Sequence, residues 1–228
     1  MKELIDIRNS ICYIVGACQE LENNIYILNN NNDLVIAADG GYDSLIKKNI
    51  IPDIVLGDFD SVSSMPEHKS IIKYPIKKDE TDTFLSYKAG SDRGYEYFVI
   101  YGGIGGRIDH TIANIQMLSY IAENKGRGFL VGDGAIITAI HNSFIEFPKD
   151  YTGKISVFSA KSTSRNVEIT GLGYSAENIL LNSSFPLGVS NEFIGKRAKI
   201  SVGEGTLLVV WYEKPESFIH NIDNFLNI

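Results

Sequence analysis

The sequence predicts an α/β N-terminal domain with a mostly parallel sheet, followed by a C-terminal antiparallel β-sandwich domain. Short, wholly apolar runs alternate with segments of helical spacing over the first 134 residues, the pattern of strands covered on both faces by helices. After about residue 135 the runs become alternating or β-branched, with no clear helix between them, as in sandwiches and barrels. Turn signals, Gly171-Leu172-Gly173, Gly195-Lys196 and Gly203-Glu204-Gly205, separate those later runs. The expected domains are therefore 1–134 and 135–228.

The elements follow in order. Ile11 to Val15 is a buried strand ending at Gly16. Glu20 to Asn32 is poorly defined, and its Asn-rich end, Asn29 to Asn32, reads as a loop. Leu34 to Ala38 is a second strand, closed by Asp39-Gly40-Gly41, and Tyr42 to Asn49 has helical spacing. Pro52 punctuates before a third strand, Ile54 to Leu56; Ser70 to Tyr74 is a fourth. Thr81 to Ala89 reads as a helix, Tyr97 to Tyr101 as a fifth strand, and Ile108 to Asn124 as the longest helix, with Ile112, Ile115, Leu118 and Ile121 near one face. Phe129 to Val131 is a sixth strand. The later strands are Ile136 to His141, Lys154 to Ala160, Val167 to Thr170, Asn178 to Leu181, Ala198 to Val202 and Thr206 to Tyr212. Pro215 to Ile228 forms a short terminal helix or frays.

Composition removes several classes. With 44% apolar and 11% aromatic residues the 228-residue chain can build a real core, which excludes a disordered protein. A net charge of −7 does not attract polyanions over a broad face, so no nucleic-acid partner is expected. No apolar run approaches the ~20 residues needed to span a bilayer, and charges interrupt the N-terminus from Met1 to Arg8, so neither a membrane partner nor a signal peptide is expected. Cys12 and Cys18 form no CxxC pair, which favours reduced thiols and a cytoplasmic location. Four histidines and two cysteines disfavour a zinc site.

Chemistry concentrates after the strands of the first half, where parallel sheets bind ligands. Gly57-Asp58-Phe59-Asp60-Ser61 places two carboxylates at a strand end. Ionised carboxylates only accept hydrogen bonds, so they want a cation or several donors; an oxygen-rich set suits Mg²⁺. A strand-ending Asx-turn is the plain alternative. Asp39-Gly40-Gly41 is either a tight turn or a backbone approach to phosphate at a helix N-terminus. In Lys77-Lys78-Asp79-Glu80-Thr81-Asp82, Thr81 or Asp79 could simply cap the helix; the functional reading gives Asp82 to a metal and Lys78 or Thr81 to phosphate oxygens. Gly102-Gly103-Ile104-Gly105-Gly106-Arg107-Ile108-Asp109-His110 joins four glycines to an arginine and a long helix, which suits anion binding. Asp109 could instead satisfy the helix dipole, and His110 is equally a structural histidine. Asp39, Asp58, Asp60 and Asp82 together would repel one another, and Mg²⁺ removes that penalty while admitting a nucleotide polyphosphate. There is no GxxxxGK[ST] loop, no GxGxxG after the first strand and no GxSxG elbow.

The ordered set Asp39-Gly40-Gly41, Pro52-Asp53 with Gly57-Asp58-Phe59-Asp60-Ser61, Asp79-Glu80-Thr81-Asp82, and Gly102-Gly103 with Gly106-Arg107-Ile108-Asp109-His110 resembles the thiamine pyrophosphokinase family. The resemblance is close over residues 11 to about 125. It continues more loosely through Gly171-Leu172-Gly173-Tyr174 and Gly188-Val189-Ser190-Asn191-Glu192 to Gly205-Thr206-Leu207. It implies transfer of a pyrophosphoryl group from ATP to the thiamine hydroxyl, giving thiamine diphosphate and AMP. It also implies a Mg²⁺ requirement and a homodimer with thiamine between subunits. By the resemblance, Asp58, Asp60 and Asp82 match the magnesium carboxylates, with Asp39 close by, and these with Arg107 would carry catalysis. Asp39, Gly40, Gly41, Lys78, Thr81, Gly103, Arg107, Asp109 and His110 would bind ATP. Tyr174, Ser190 and Asn191 match the thiamine pocket. Some members carry tryptophan at the Tyr174 position; here Tyr174 in the core and Trp211 as sandwich packing are the structural alternatives. The same N-terminal site would also serve a diphosphokinase acting on a hydroxymethylpterin. A non-catalytic nucleotide- or thiamine-binding regulator would be marked by a lost aspartate, and none is lost.

Overall fold

The computed structural model describes residues 10–17, 24–28, 30–60, 62–132 and 134–226. Ser61, Cys18, Asn29, the charged N-terminal stretch and the last two residues of the terminal segment lie outside the described residues. Contacts divide the chain into two units, one of residues 1–114 with 130–133, the other of 115–129 with 134–228.

The first unit is built on β1 (Ile11–Val15), β2 (Leu34–Ala38), β3 (Ile54–Gly57), β4 (Ile71–Lys73) and β5 (Tyr97–Tyr101). These run parallel in the order β5-β1-β2-β3-β4, and β6 (Arg127–Gly132) lies beside β5. Every residue of β1, β2, β3, β5 and β6 is buried. This is why these strands read as unbroken apolar runs rather than alternating ones. The edge strand β4 is short and ends on an exposed lysine, Lys73, which blunts further pairing.

At the start of the sheet, carboxylates satisfy strand N–H groups that have no ladder partner. Ile11 N donates to Asp33 Oδ1 and Val35 N to Asp53 Oδ2, each at 2.8 Å. Helices α1 (Gly41–Lys47), α2 (Asp82–Ser91) and α3 (Ile108–Glu123) complete the alternation. Gly41 is required by packing: a Cβ there would run into the carbonyl of Val15 at the end of β1.

The second unit is antiparallel. Its strands are β7 (Ala135–His141), β8 (Phe144–Phe147), β9 (Lys154–Ser159), β10 (Thr163–Thr170), β11 (Ala176–Asn182), β12 (Gly188–Glu192), β13 (Ala198–Glu204) and β14 (Thr206–Tyr212). The order is β12-β9-β14-β7 in one layer and β11-β10-β13-β8 in the other. Inward positions such as Ile155, Val157, Ile200, Val202, Val209 and Trp211 are buried, while their neighbours along each strand are half-buried or exposed. Two of these strands were not expected. β8 spans only four residues, and β12 is a largely polar, exposed edge whose register slips between Gly188 and Asn191.

The terminal segment forms α4 (Pro215–His220) and a 3-10 turn, Ile222–Phe225. Proline at the start of α4 forfeits no helical hydrogen bond. The buried Arg127 guanidinium donates to the carbonyls of Phe225 and Phe144, at 3.1 and 3.2 Å. Phe147 sits at the centre of an aromatic cluster, with ring centroids 5.2 Å from Trp211, 5.2 Å from Phe193 and 5.4 Å from both Tyr151 and Phe225. Among the described residues no helix is long and apolar enough to cross a membrane.

Because Trp211 is the chain's single tryptophan and touches Phe147, its fluorescence reports this core. Phe147→Ala is expected to cost about 3–5 kcal/mol, read as a lowered urea midpoint of the Trp211 transition.

Candidate active site

In the first unit β2, β3 and β4 lie successively to one side of β1, and β5 lies to the other. The strand order therefore reverses between β1 and β5, and the carboxyl edge beside such a reversal is where open parallel sheets take ligands. Asp39 follows β2, Asp58 follows β3, and Asp82 opens α2. One carboxylate oxygen from each lies within 4.8 Å of the other two.

Two left-handed residues set this arrangement. Asp39 has φ 49° and Phe59 has φ 65°. Asp39 N donates to the Leu56 carbonyl at 2.7 Å, tying the end of β2 to β3. A bulky aromatic at positive φ costs of order 1–3 kcal/mol, and Phe59 is buried, so its apolar packing offsets the strain. The bend keeps Asp58 and Asp60 beside each other, with Asp60 N donating to Asp58 Oδ1 at 3.3 Å. The Asp60 side chain is not among the three whose oxygens converge.

Lys78 enters the cluster. Its ammonium donates to Asp58 Oδ2 at 2.7 Å and lies 3.1 Å from Asp82 Oδ1. The second contact is an ion pair without hydrogen-bond geometry, since Asp82 Oδ1 is buried with no hydrogen-bond partner. The hydrogen bond from Lys78 holds the Asp58 carboxyl below the usual carboxylate range. Burial pushes Asp82 up despite Lys78, and the Asp58 charge is the main reason Asp60 is raised. For Lys78, burial opposes the charge, but the hydrogen bond to Asp58 and the adjacent Asp82 carboxylate outweigh it and hold the ammonium above its ordinary value. An all-oxygen set with an orphaned buried acceptor fits a hard divalent cation.

The glycine-rich loop follows β5. A Cβ at Gly103 would meet Leu130, and the Gly103 carbonyl accepts from the buried Asn114 amide at 3.1 Å. Gly105 and Gly106 face open space but have φ 90° and 60°, so there the backbone itself requires glycine. Arg107 then forks onto Asp109, at 2.6 and 3.2 Å, with its side chain 71% exposed. This pairing raises the Arg107 guanidinium and lowers the Asp109 carboxyl. Asp109 Oδ1 also accepts from the backbone N–H of His110 in the first turn of α3.

In the second unit Tyr174 is 74% exposed. The buried Asn191 side chain accepts from Tyr174 N at 2.9 Å and donates to Tyr174 O at 2.7 Å. Ser190, at φ 62°, donates its N–H to Ser156 Oγ at 3.0 Å.

Comparison with known proteins matches two family models to this chain. "Thiamin pyrophosphokinase, catalytic domain" covers residues 26–130, and "Thiamin pyrophosphokinase, vitamin B1 binding domain" covers residues 142–207. The chain belongs to the thiamine pyrophosphokinase family. It is 26% identical to the thiamine pyrophosphokinase of Bacillus subtilis, over 88% of this chain and 97% of the relative. It is 22% identical to thiamin pyrophosphokinase 1 of Caenorhabditis elegans, over 94% and 93%. The crystal structure of the Bacillus subtilis enzyme superposes with a TM-score of 0.79 at 25% identity, covering 90% of this chain and 99% of that one.

Among the residues expected for a thiamine pyrophosphokinase, the structure brings Asp39, Asp58, Asp82 and Lys78 together. Asp60 and the Gly40–Gly41 turn adjoin them in sequence, with Gly40 preceding α1 without a side-chain cap. Thr81 caps α2, its hydroxyl accepting from Phe84 N at 3.2 Å, which is the plainer of its two readings. Asp53, within the family-like stretch, serves the opposite end of β2 from Asp39. Trp211 is fully buried in the aromatic core, so it is packing, and Tyr174 is not. Asn114 and the counter-charge formed by Lys78 were missed. The signal for Asn114 was a lone polar residue flanked by the apolar face of α3; the signal for Lys78 was its four-residue spacing from Asp82.

Mg²⁺ should raise the melting temperature of this protein by mass action on the folded state. Asp82→Asn is expected to fold without a lowered metal-free melting temperature, because it removes a buried carboxylate that its surroundings disfavour, and to lose the Mg²⁺-dependent rise. Thermal scans with and without Mg²⁺ check both.

Proposed function

We propose that this protein transfers a pyrophosphoryl group from ATP to the hydroxyl of thiamine, giving thiamine diphosphate and AMP, and that it does so with Mg²⁺. The observation that carries the reading is the convergence of Asp39, Asp58 and Asp82 on the carboxyl edge of a parallel sheet, in a chain matched by the catalytic and vitamin-binding models of one family. Such a transfer needs positioning and charge neutralisation more than covalent work by the protein.

Asp39, Asp58 and Asp82 would hold Mg²⁺, with Asp60 beside them. When bound, the ion supplies neutralisation of phosphate charge, in the ground state and as charge develops. Arg107 offers a fork of N–H donors in the open loop, and its partner Asp109 holds that fork at the start of α3. The loop amides near Gly103 to Gly106 and the N-terminus of the sixteen-residue α3 favour an anion beside them. His110 lies in that first turn. Lys78 supplies a mobile cation for phosphate oxygens. Tyr174 presents a ring for thiamine, with Asn191 fixing its backbone and Ser190 alongside.

We also read the protein as a cytoplasmic homodimer. Phe185, Leu187 and Val189 are exposed at alternate positions leading into edge strand β12, apolar surface that a second copy would cover.

The direct test is incubation with ATP, Mg²⁺ and thiamine, with product masses measured. Thiamine diphosphate with AMP is expected; ADP, or phosphate without an acceptor product, overturns the reading. Asp58→Asn is expected to lower kcat by about a hundredfold or more, the scale of losing a principal electrostatic group. Arg107→Ala is expected to raise the KM for ATP or lower kcat, and unchanged kinetics would leave Arg107 as an ion-pair residue only.

A further inference from the structure

We propose that Lys78 is an internal counter-cation of the aspartate cluster, expelled when a divalent ion enters, so that the ion and the nucleotide bind cooperatively. This rests on reading the cluster as a Mg²⁺ site.

Lys78 stands four residues before Asp82, ahead of α2. Its side chain keeps 11% of its exposure, so the ammonium has exchanged most of its water for Asp58 and Asp82. With all three aspartates ionised, three negative charges face one positive charge, leaving two uncompensated. The metal-free cluster is thus held together by a cation that the chain itself carries.

A divalent ion cannot simply be added to this arrangement. It needs carboxylate oxygens, and two of those nearest at hand, Asp58 Oδ2 and Asp82 Oδ1, face the ammonium. The two cations also repel, in a setting with little water to screen them. Entry of the ion therefore displaces Nζ. A lysine suits that movement, being a compact charge on a flexible stem. Once displaced, the ammonium has lost both partners, and phosphate oxygens of a nucleotide are acceptors that replace them. Each ligand thereby raises the affinity for the other by the same factor. The spacing from Asp82 makes the ammonium a neighbour of the cluster in either position.

The test uses the full chain. Amine-reactive acetylation followed by peptide mass mapping reads the accessibility of Lys78. Three states are compared: no ligand, Mg²⁺ at a concentration that saturates its thermal shift, and Mg²⁺ with a non-hydrolysable ATP analogue. Lys78 labelling is expected to rise with Mg²⁺ and fall again with the analogue, while Lys154, paired with Glu192 in the second unit, stays constant. Unchanged Lys78 labelling at saturating Mg²⁺ overturns the proposal.

In parallel, Lys78→Met is titrated with Mn²⁺ without nucleotide by calorimetry. It is expected to bind about tenfold more tightly than wild type, within the ordinary range of coupling, and to show less dependence on the analogue. Equal affinity overturns the counter-cation role while leaving the metal site standing. Absence of Mn²⁺ binding in both proteins, even with the analogue, overturns the metal site and the proposal with it.

Discussion

Three carboxylate oxygens held within 4.8 Å of one another repel, and the first unit is arranged to keep them there. At the surface, water and salt would screen such a cluster. Here Asp58 and Asp82 are largely withdrawn from solvent, so the repulsion must be met by a positive charge. Lys78 meets part of it. It does so unevenly: its hydrogen bond holds the Asp58 carboxyl below the usual carboxylate range, while burial pushes Asp82 above it despite the nearby ammonium. The set remains short of positive charge after its own lysine is satisfied, which is what the proposed role as a cation site would require.

Holding like charges together requires a rigid frame, and the sheet supplies it. β1, β2, β3 and β5 are buried along their whole length, so their ends cannot shift without disturbing the core. The Asp39 N–H to Leu56 hydrogen bond fixes the spacing of two of the three carboxylates. Asp33 and Asp53 do similar work for strand N–H groups at the other edge. The strained turn at Phe59 is tolerable because the ring is buried beneath it. Strain of this kind persists only where its surroundings over-determine it.

Much of this was legible in the sequence. Unbroken apolar runs gave the parallel strands because strands buried on both faces leave no polar alternation, and Tyr97–Tyr101 and Thr206–Tyr212 are found at their expected bounds. Asp39, Asp58 and Asp82 could be brought together because each follows a strand or opens a helix on one edge. What was not legible depends on tertiary context. β12 carries little apolar signal and exists through its pairing with β9. Asp58 and Asp60 are equivalent as letters, yet only Asp58 joins the converging set, and the turn between them at Phe59 is left-handed. Nothing local announces a left-handed phenylalanine. The letters alone also do not show that Thr81 caps α2, which the geometry does.

The residues assigned to ligands divide by the way they are held. Asp39, Asp58 and Asp82 are positioned by strand ends and a helix start, which suits an ion demanding a fixed oxygen geometry. Arg107, Asp109 and Tyr174 stand largely in solvent. A flexible exposed side chain would lose entropy on binding, so its value depends on what restrains it beforehand. For Arg107 the restraint is the two-point fork with Asp109. For Tyr174 it is Asn191, whose buried amide closes on both backbone groups of the tyrosine. That pair of hydrogen bonds separates Tyr174 from an ordinary surface tyrosine. The main chain is fixed while the residue stays exposed, an arrangement that gives the fold little but, on the proposed reading, would give an incoming aromatic ligand a face already in place.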